Sequence, residues 1–150
     1  MEITIFKDIK VTSQPFYRGA LVILNRIKEG ASKDLVKRIR EEKDKEKVNT
    51  LKQKLPAICF SGKFTKRNDK SLSQHSGLIC LDFDGYDSQR DLLQEKERLS
   101  KNKYVYSVFI SPSGKGLKAI VKIPPLPDNH VSYFNIFEDC YFHLIIFYFL

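Results

Sequence analysis

The chain has 150 residues, enough for one domain with its own core. Hydrophobic residues make up 42% and charged residues 29%, a globular composition that excludes a disordered chain. The net charge of +8 is uneven: residues 1–70 carry 18 Lys/Arg against 9 Asp/Glu, and residues 71–150 carry 8 against 9. A basic excess confined to one half points to a polyanion partner such as nucleic acid or nucleotide, although a lysine-rich run also reads as a solvated helix face.

Cys59, Cys80 and Cys140 show no metal-ligand spacing and no disulfide framework, so a reducing cytoplasm is expected. There is no N-terminal apolar stretch of signal-peptide length. The apolar ending, 141–150, is shorter than the roughly 20 residues needed to span a bilayer, so no membrane partner is expected.

In chain order, Glu2 to Phe6 alternates as a short strand. Phe16 to Lys28 has Leu21, Leu24 and Ile27 near helical spacing, with Gly30 as a stop. Ser32 reads as the N-cap of a second helix carrying Leu35, Val36 and Ile39. Arg38 to Lys54 is dense in both charge signs and reads as an exposed helix or helix pair. After Pro56, Ala57 to Gly62 reads as a strand and Lys63 to Ser76 as a polar loop. Leu78 to Phe83 is nearly continuous in apolar residues, as in a strand buried on both faces, and Asp84-Gly85 ends it. Asp87 or Ser88 caps a helix to Ser100, with Leu92, Leu93 and Leu99 inward. Tyr104 to Ile110 and Lys118 to Ile123 read as strands forming a hairpin around a glycine loop, and Val131 to Phe142 as a closing helix. The fold class is α/β (α+β): a sheet of about four to five mixed or antiparallel strands covered by helices. A basic helical part (1–55) precedes a core (56–140) and an apolar tail (141–150), all in one domain.

Two constellations carry chemistry. Asp82 and Asp84, two apart at a strand end, would share a face and present oxygens to one point, with Mg²⁺ or Mn²⁺ as the natural counter-ion. Asp84-Gly85 is also ordinary turn chemistry. The second is Ser111-Pro112-Ser113-Gly114-Lys115-Gly116-Leu117-Lys118. Its glycines allow close backbone approach, its N–H groups and the Ser111 and Ser113 hydroxyls suit phosphate oxygens, and Lys115 and Lys118 add charge. The bland alternative is a hairpin loop whose glycines serve geometry alone. A βαβ-like unit would set the strand ending in Asp82 and Asp84 beside the strand entering Ser111, as phosphoryl or nucleotidyl transfer requires. Lys63, Lys66 and Arg67 form a basic cluster suited to nucleic acid. His75, His130 and His143 read as non-ligands.

The blocks Leu55–Phe64, Ser76–Asp84 and Phe109–Lys118 together resemble the VirE-type N-terminal domain, in the primase-polymerase branch of the archaeo-eukaryotic primase superfamily. The resemblance spans residues 15–140 and implies an RRM-like core in a phage or mobile-element replication protein, often ahead of a helicase-like region. It implies catalytic metals on Asp82 and Asp84, nucleotide phosphate at Ser111, Ser113, Gly114 and Gly116, and a DNA or RNA template as partner. Lys118 stands where many members have a histidine. A third acidic motif is expected downstream of the sequence in hand, which reads as a truncated product. The expected function is metal-dependent nucleotidyl transfer or an inactive remnant of it, with a non-catalytic nucleic-acid-binding module as the alternative. A haloacid-dehalogenase-like phosphatase shares the Asp-x-Asp-Gly signature. Tyr86 stands where that family commonly has Thr or Ser, and only 66 residues follow Asp84.

Overall fold

The computed structural model describes residues 1–137; the tail at 141–150, Cys140, His143 and the end of the expected closing helix lie outside the described residues. The chain runs β1 (Glu2–Phe6), β2 (Phe16–Gly19), α1 (Ala20–Lys28), α2 (Lys33–Glu41), α3 (Lys45–Lys52), β3 (Ala57–Cys59), β4 (Gly62–Phe64) and β5 (Leu72–His75). It continues through β6 (Leu78–Phe83), α4 (Gln89–Ser100), β7 (Val105–Ile110) and β8 (Leu117–Lys122). Residues 130–137 are helical. The class is mixed α+β. The strands form three small antiparallel sheets, ordered β2-β1-β3, β4-β5 and β6-β8-β7, instead of one sheet of four to five strands.

The β6-β8-β7 sheet carries the candidate site residues Asp82 and Lys118, and its two faces meet different cores. Ile79 and Leu81 of β6 join Leu117, Ala119 and Val121 of β8 against Leu92 and Leu99 of α4. Leu78 and Ile120 point the other way, into Ile3 of β1, Ala20, Ile23 and Leu24 of α1, and Phe60. The continuous apolar run of β6 follows from this, since successive side chains enter opposite cores. Each fully buried leucine contributes about 1.5–3 kcal/mol from area removed from water. Thr4 links the first two sheets: its buried hydroxyl donates to the Gly62 carbonyl at 2.9 Å and accepts from the Phe64 N–H at 2.8 Å.

Several local expectations change. Phe16–Gly19 pairs with β1 as a strand, and the helix begins only at Ala20. The expected loop at 63–76 contains β4, a 3-10 turn at Asp69–Ser71, and β5. These strands are too short and polar to alternate visibly. Leu93 is exposed, while Leu92 and Leu99 are buried as expected. Ser88 caps α4 by accepting from the Asp91 N–H. Ser32 occupies the N-cap position of α2 without a side-chain cap bond. The β7–β8 hairpin forms as expected, but β8 lies between β6 and β7. The strand beside β6 is therefore the one leaving the glycine loop, which sets Lys118 opposite Asp82.

Candidate nucleotide and metal site

β6 brings Asp82 and Asp84 to the glycine-loop end of the sheet. Asp82 lies on the strand, facing Lys118 in the antiparallel register, and the Lys118 ammonium forms an ion pair with its carboxylate. The Asp82 side chain remains 60% exposed, so solvent screens the pair and its contribution to stability stays below about 1 kcal/mol. Asp84 lies just past the end of β6, where strand alternation no longer governs its direction. It instead packs on the loop. A Cβ placed on Gly116 would lie 2.1 Å from the Asp84 Oδ1 and 2.7 Å from the Phe83 carbonyl oxygen. Gly116 is thus required by close approach, and that approach joins the second carboxylate to the loop.

The loop is built from its own bonds. The Ser111 N–H donates to the Gly116 carbonyl at 2.8 Å, closing the hairpin, and the Gly114 N–H donates to the Ser111 carbonyl at 2.9 Å. The Gly116 N–H donates to the Ser111 hydroxyl at 3.2 Å, and the Ser111 and Ser113 hydroxyls are 3.0 Å apart. Gly114 has φ +77°, a conformation that side chains rarely adopt. The loop does not offer an unbroken row of N–H groups. The amides of Ser113 and Lys115 have no hydrogen-bond acceptor among the described residues, and the Lys115 side chain is exposed.

One residue joins the site without any signal in the sequence. Arg40, from α2, donates through Nε to the Pro112 carbonyl at 3.3 Å and through Nη2 to the Ser111 carbonyl at 3.4 Å. Tyr86 packs on the α4 core just beyond Asp84. Burial, then the negative charge of Glu95, pushes its phenol up to about 12, with Asp84 adding in the same direction and Arg98 opposing. Tyr86 is therefore a neutral hydroxyl at physiological pH.

The other candidates lie elsewhere. The Lys63 ammonium sits 2.9 Å from Glu2 Oε2 and 5.1 Å from the centre of the Tyr17 ring. Arg67 hydrogen-bonds the Ile9 carbonyl, and its Nε is buried without a partner among the described residues. Lys66 is exposed. The basic cluster is thus largely engaged within the fold. His75 Nε2 meets His130 Nδ1 at 2.9 Å, so these histidines contact each other. Cys80 is a half-buried thiol pushed up to about 11, chiefly by desolvation, which disfavours the reactive thiolate.

Two carboxylates fit a hexacoordinate Mg²⁺ or Mn²⁺ in one respect. Such ions often take one or two protein carboxylates and fill the shell with water and substrate phosphates. Among the described residues no cluster of three or more His, Cys, Asp or Glu forms a closed protein cage.

A family model described as BT4734-like, N-terminal domain matches residues 50–144. The chain belongs to that family. This corrects the VirE-type resemblance: the BT4734-like match covers the same blocks of residues and is a different family. The BT4734-like match takes in β3 to β8 and therefore Asp82, Asp84 and the whole glycine loop; Arg40 lies before it. No curated protein matches the chain, and no solved structure matches it. Among the described residues no helix is long and apolar enough to cross a membrane.

Proposed function

We infer that this BT4734-like domain is a primase-polymerase-like DNA-replication domain of a phage or mobile element, binding a nucleoside triphosphate and a DNA or RNA template for metal-dependent nucleotidyl transfer. The observation that carries the reading is the seam between β6 and the glycine loop. There the Asp84 carboxylate rests on Gly116, and Asp82 faces Lys118. Carboxylates for a cation and donors for phosphate meet within one hairpin's width, as phosphoryl chemistry requires.

In this reading Asp82 and Asp84 hold Mg²⁺ or Mn²⁺, which would neutralise phosphate charge and activate the attacking hydroxyl. The Ser113 and Lys115 amides donate to phosphate oxygens. Lys115 supplies charge from the loop tip. Lys118 exchanges its bond with Asp82 for one with phosphate when substrate enters, so neither the carboxylate nor the ammonium is left unpaired. A helicase-like partner and a cytosolic setting complete the proposal; the free thiols of Cys59 and Cys80 accord with a reducing compartment. The phosphatase alternative loses support, because every strand pair among the described residues is antiparallel.

The test is nucleotide incorporation on a primed or unprimed template with Mg²⁺ or Mn²⁺. Wild type should incorporate and Asp82→Ala/Asp84→Ala should not; equal incorporation by both would end the enzymatic reading. The uneven charge favours a second reading, a non-catalytic nucleic-acid-binding module. It predicts DNA affinity that falls steeply with salt and does not depend on the two aspartates.

A further inference from the structure

Arg40 reaches the glycine loop across 71 residues of sequence. It sits in the last turn of α2, and its guanidinium lies against Gly114: a Cβ there would be 3.3 Å from Nε and 3.6 Å from Cδ. Both acceptors it has found are neutral backbone carbonyls. No carboxylate forms an ion pair with it among the described residues, although Lys37 on the same helix pairs with Glu41 at 3.8 Å. A guanidinium has five N–H donors, and only two are used among the described residues. The result is an oriented, un-neutralised cation beside the open amides of Ser113 and Lys115. Tethering a loop does not need a charge. A cation held in place by carbonyls is preorganised for an anion.

We propose that Arg40 is a phosphate-binding residue of this site, bridging the Ser111 and Pro112 carbonyls to the polyphosphate of a nucleoside triphosphate. This rests on the nucleotide-binding reading given above. It makes the basic N-terminal part a working half of the site, because Arg40 precedes residue 50, where the family match begins. Arg40, Lys115 and Lys118 then approach the phosphates from α2, the loop and β8. Their three positive charges offset what Asp82 and Asp84 alone would repel.

Calorimetric titration of the full chain in Mg²⁺ with deoxyadenosine triphosphate, and separately with inorganic triphosphate, tests this. Arg40→Gln should weaken both ligands by about 10- to 100-fold, as expected for loss of charged hydrogen bonds. Its thermal midpoint should stay near wild type, because the side chain is exposed. Arg40→Lys should recover part of the loss, since an ammonium keeps the charge but not the planar fork. Undiminished triphosphate binding by Arg40→Gln, with Asp82→Ala still impaired, would overturn the proposal and leave the site reading standing. Equal losses in Arg40→Gln and Arg40→Lys would mark a tether without anion contact and also overturn it. A wild-type chain that binds neither ligand would remove the site reading and this inference together.

Discussion

Gly116 and Asp84 illustrate how one missing side chain shapes the site. The Asp84 carboxylate can rotate away from an added methyl, but the Phe83 carbonyl, 2.7 Å from the same point, belongs to the backbone. Gly116→Ala should therefore cost about 1–3 kcal/mol by urea denaturation, the usual scale for overpacking. It should also weaken Mn²⁺ binding by displacing Asp84. Asp82, Asp84 and the loop stand out in the sequence as a candidate site because each group is nearly contiguous, so spacing alone suggests it. Arg40 was not. It is one of nine Lys/Arg between residues 33 and 54, and nothing local sets it apart. Likewise the Lys63, Lys66 and Arg67 cluster is basic in sequence, yet two of its members are engaged by Glu2, Tyr17 and Ile9 in space.

At the level of elements, burial separates residues that periodicity groups together. Leu92 is 1% exposed and Leu93 is 49% exposed, although both were expected inward. Leu92→Ala should cost about 2–5 kcal/mol as a core cavity, whereas Leu93→Ala should stay within about 0.5 kcal/mol, both by chemical denaturation. Thr4→Val keeps the shape but strands the Gly62 carbonyl and the Phe64 N–H. A loss of about 1–3 kcal/mol is expected, and amide exchange at Phe64 should quicken. The strong strands β6, β7 and β8 and the capped helix α4 followed from their local pattern. Phe16–Gly19 did not: its helical spacing yields to pairing with Glu2–Ile5, an interaction that local spacing does not contain. The polar pair β4 and β5 escaped notice for the related reason that neither buries an alternating face.

Across the whole molecule, the His75–His130 contact ties the end of β5 to the helix at 130–137. The Gly77 N–H donates to His75 Nδ1, so His75 carries its proton on Nε2 and donates it to His130 Nδ1. Both rings are then neutral. Burial lowers both pKa values below the ordinary 6.5, and the facing His130 lowers His75 further. The adjoining cleft also presents Arg67 and Asp69, and the thiols of Cys59 and Cys80. Because the unfolded chain binds these protons more readily, the stabilisation is fully present above about pH 6.5 and is lost as pH falls through the folded values. The urea midpoint should therefore drop between pH 7.5 and pH 5, and His130→Asn should flatten that dependence. An unchanged slope in the variant would place the titration elsewhere. The sequence by itself determined the α+β class, the β6 strand with its terminal aspartates and the hairpin loop, because hydrophobic period, turn chemistry and caps act over a few residues. Only the tertiary structure decided that β8 rather than β7 flanks β6, that Lys118 meets Asp82, that Asp84 rests on Gly116 and that Arg40 closes on the loop. Those contacts join segments far apart in the chain, where sheet order and packing choose the partners and local pattern carries no information about them.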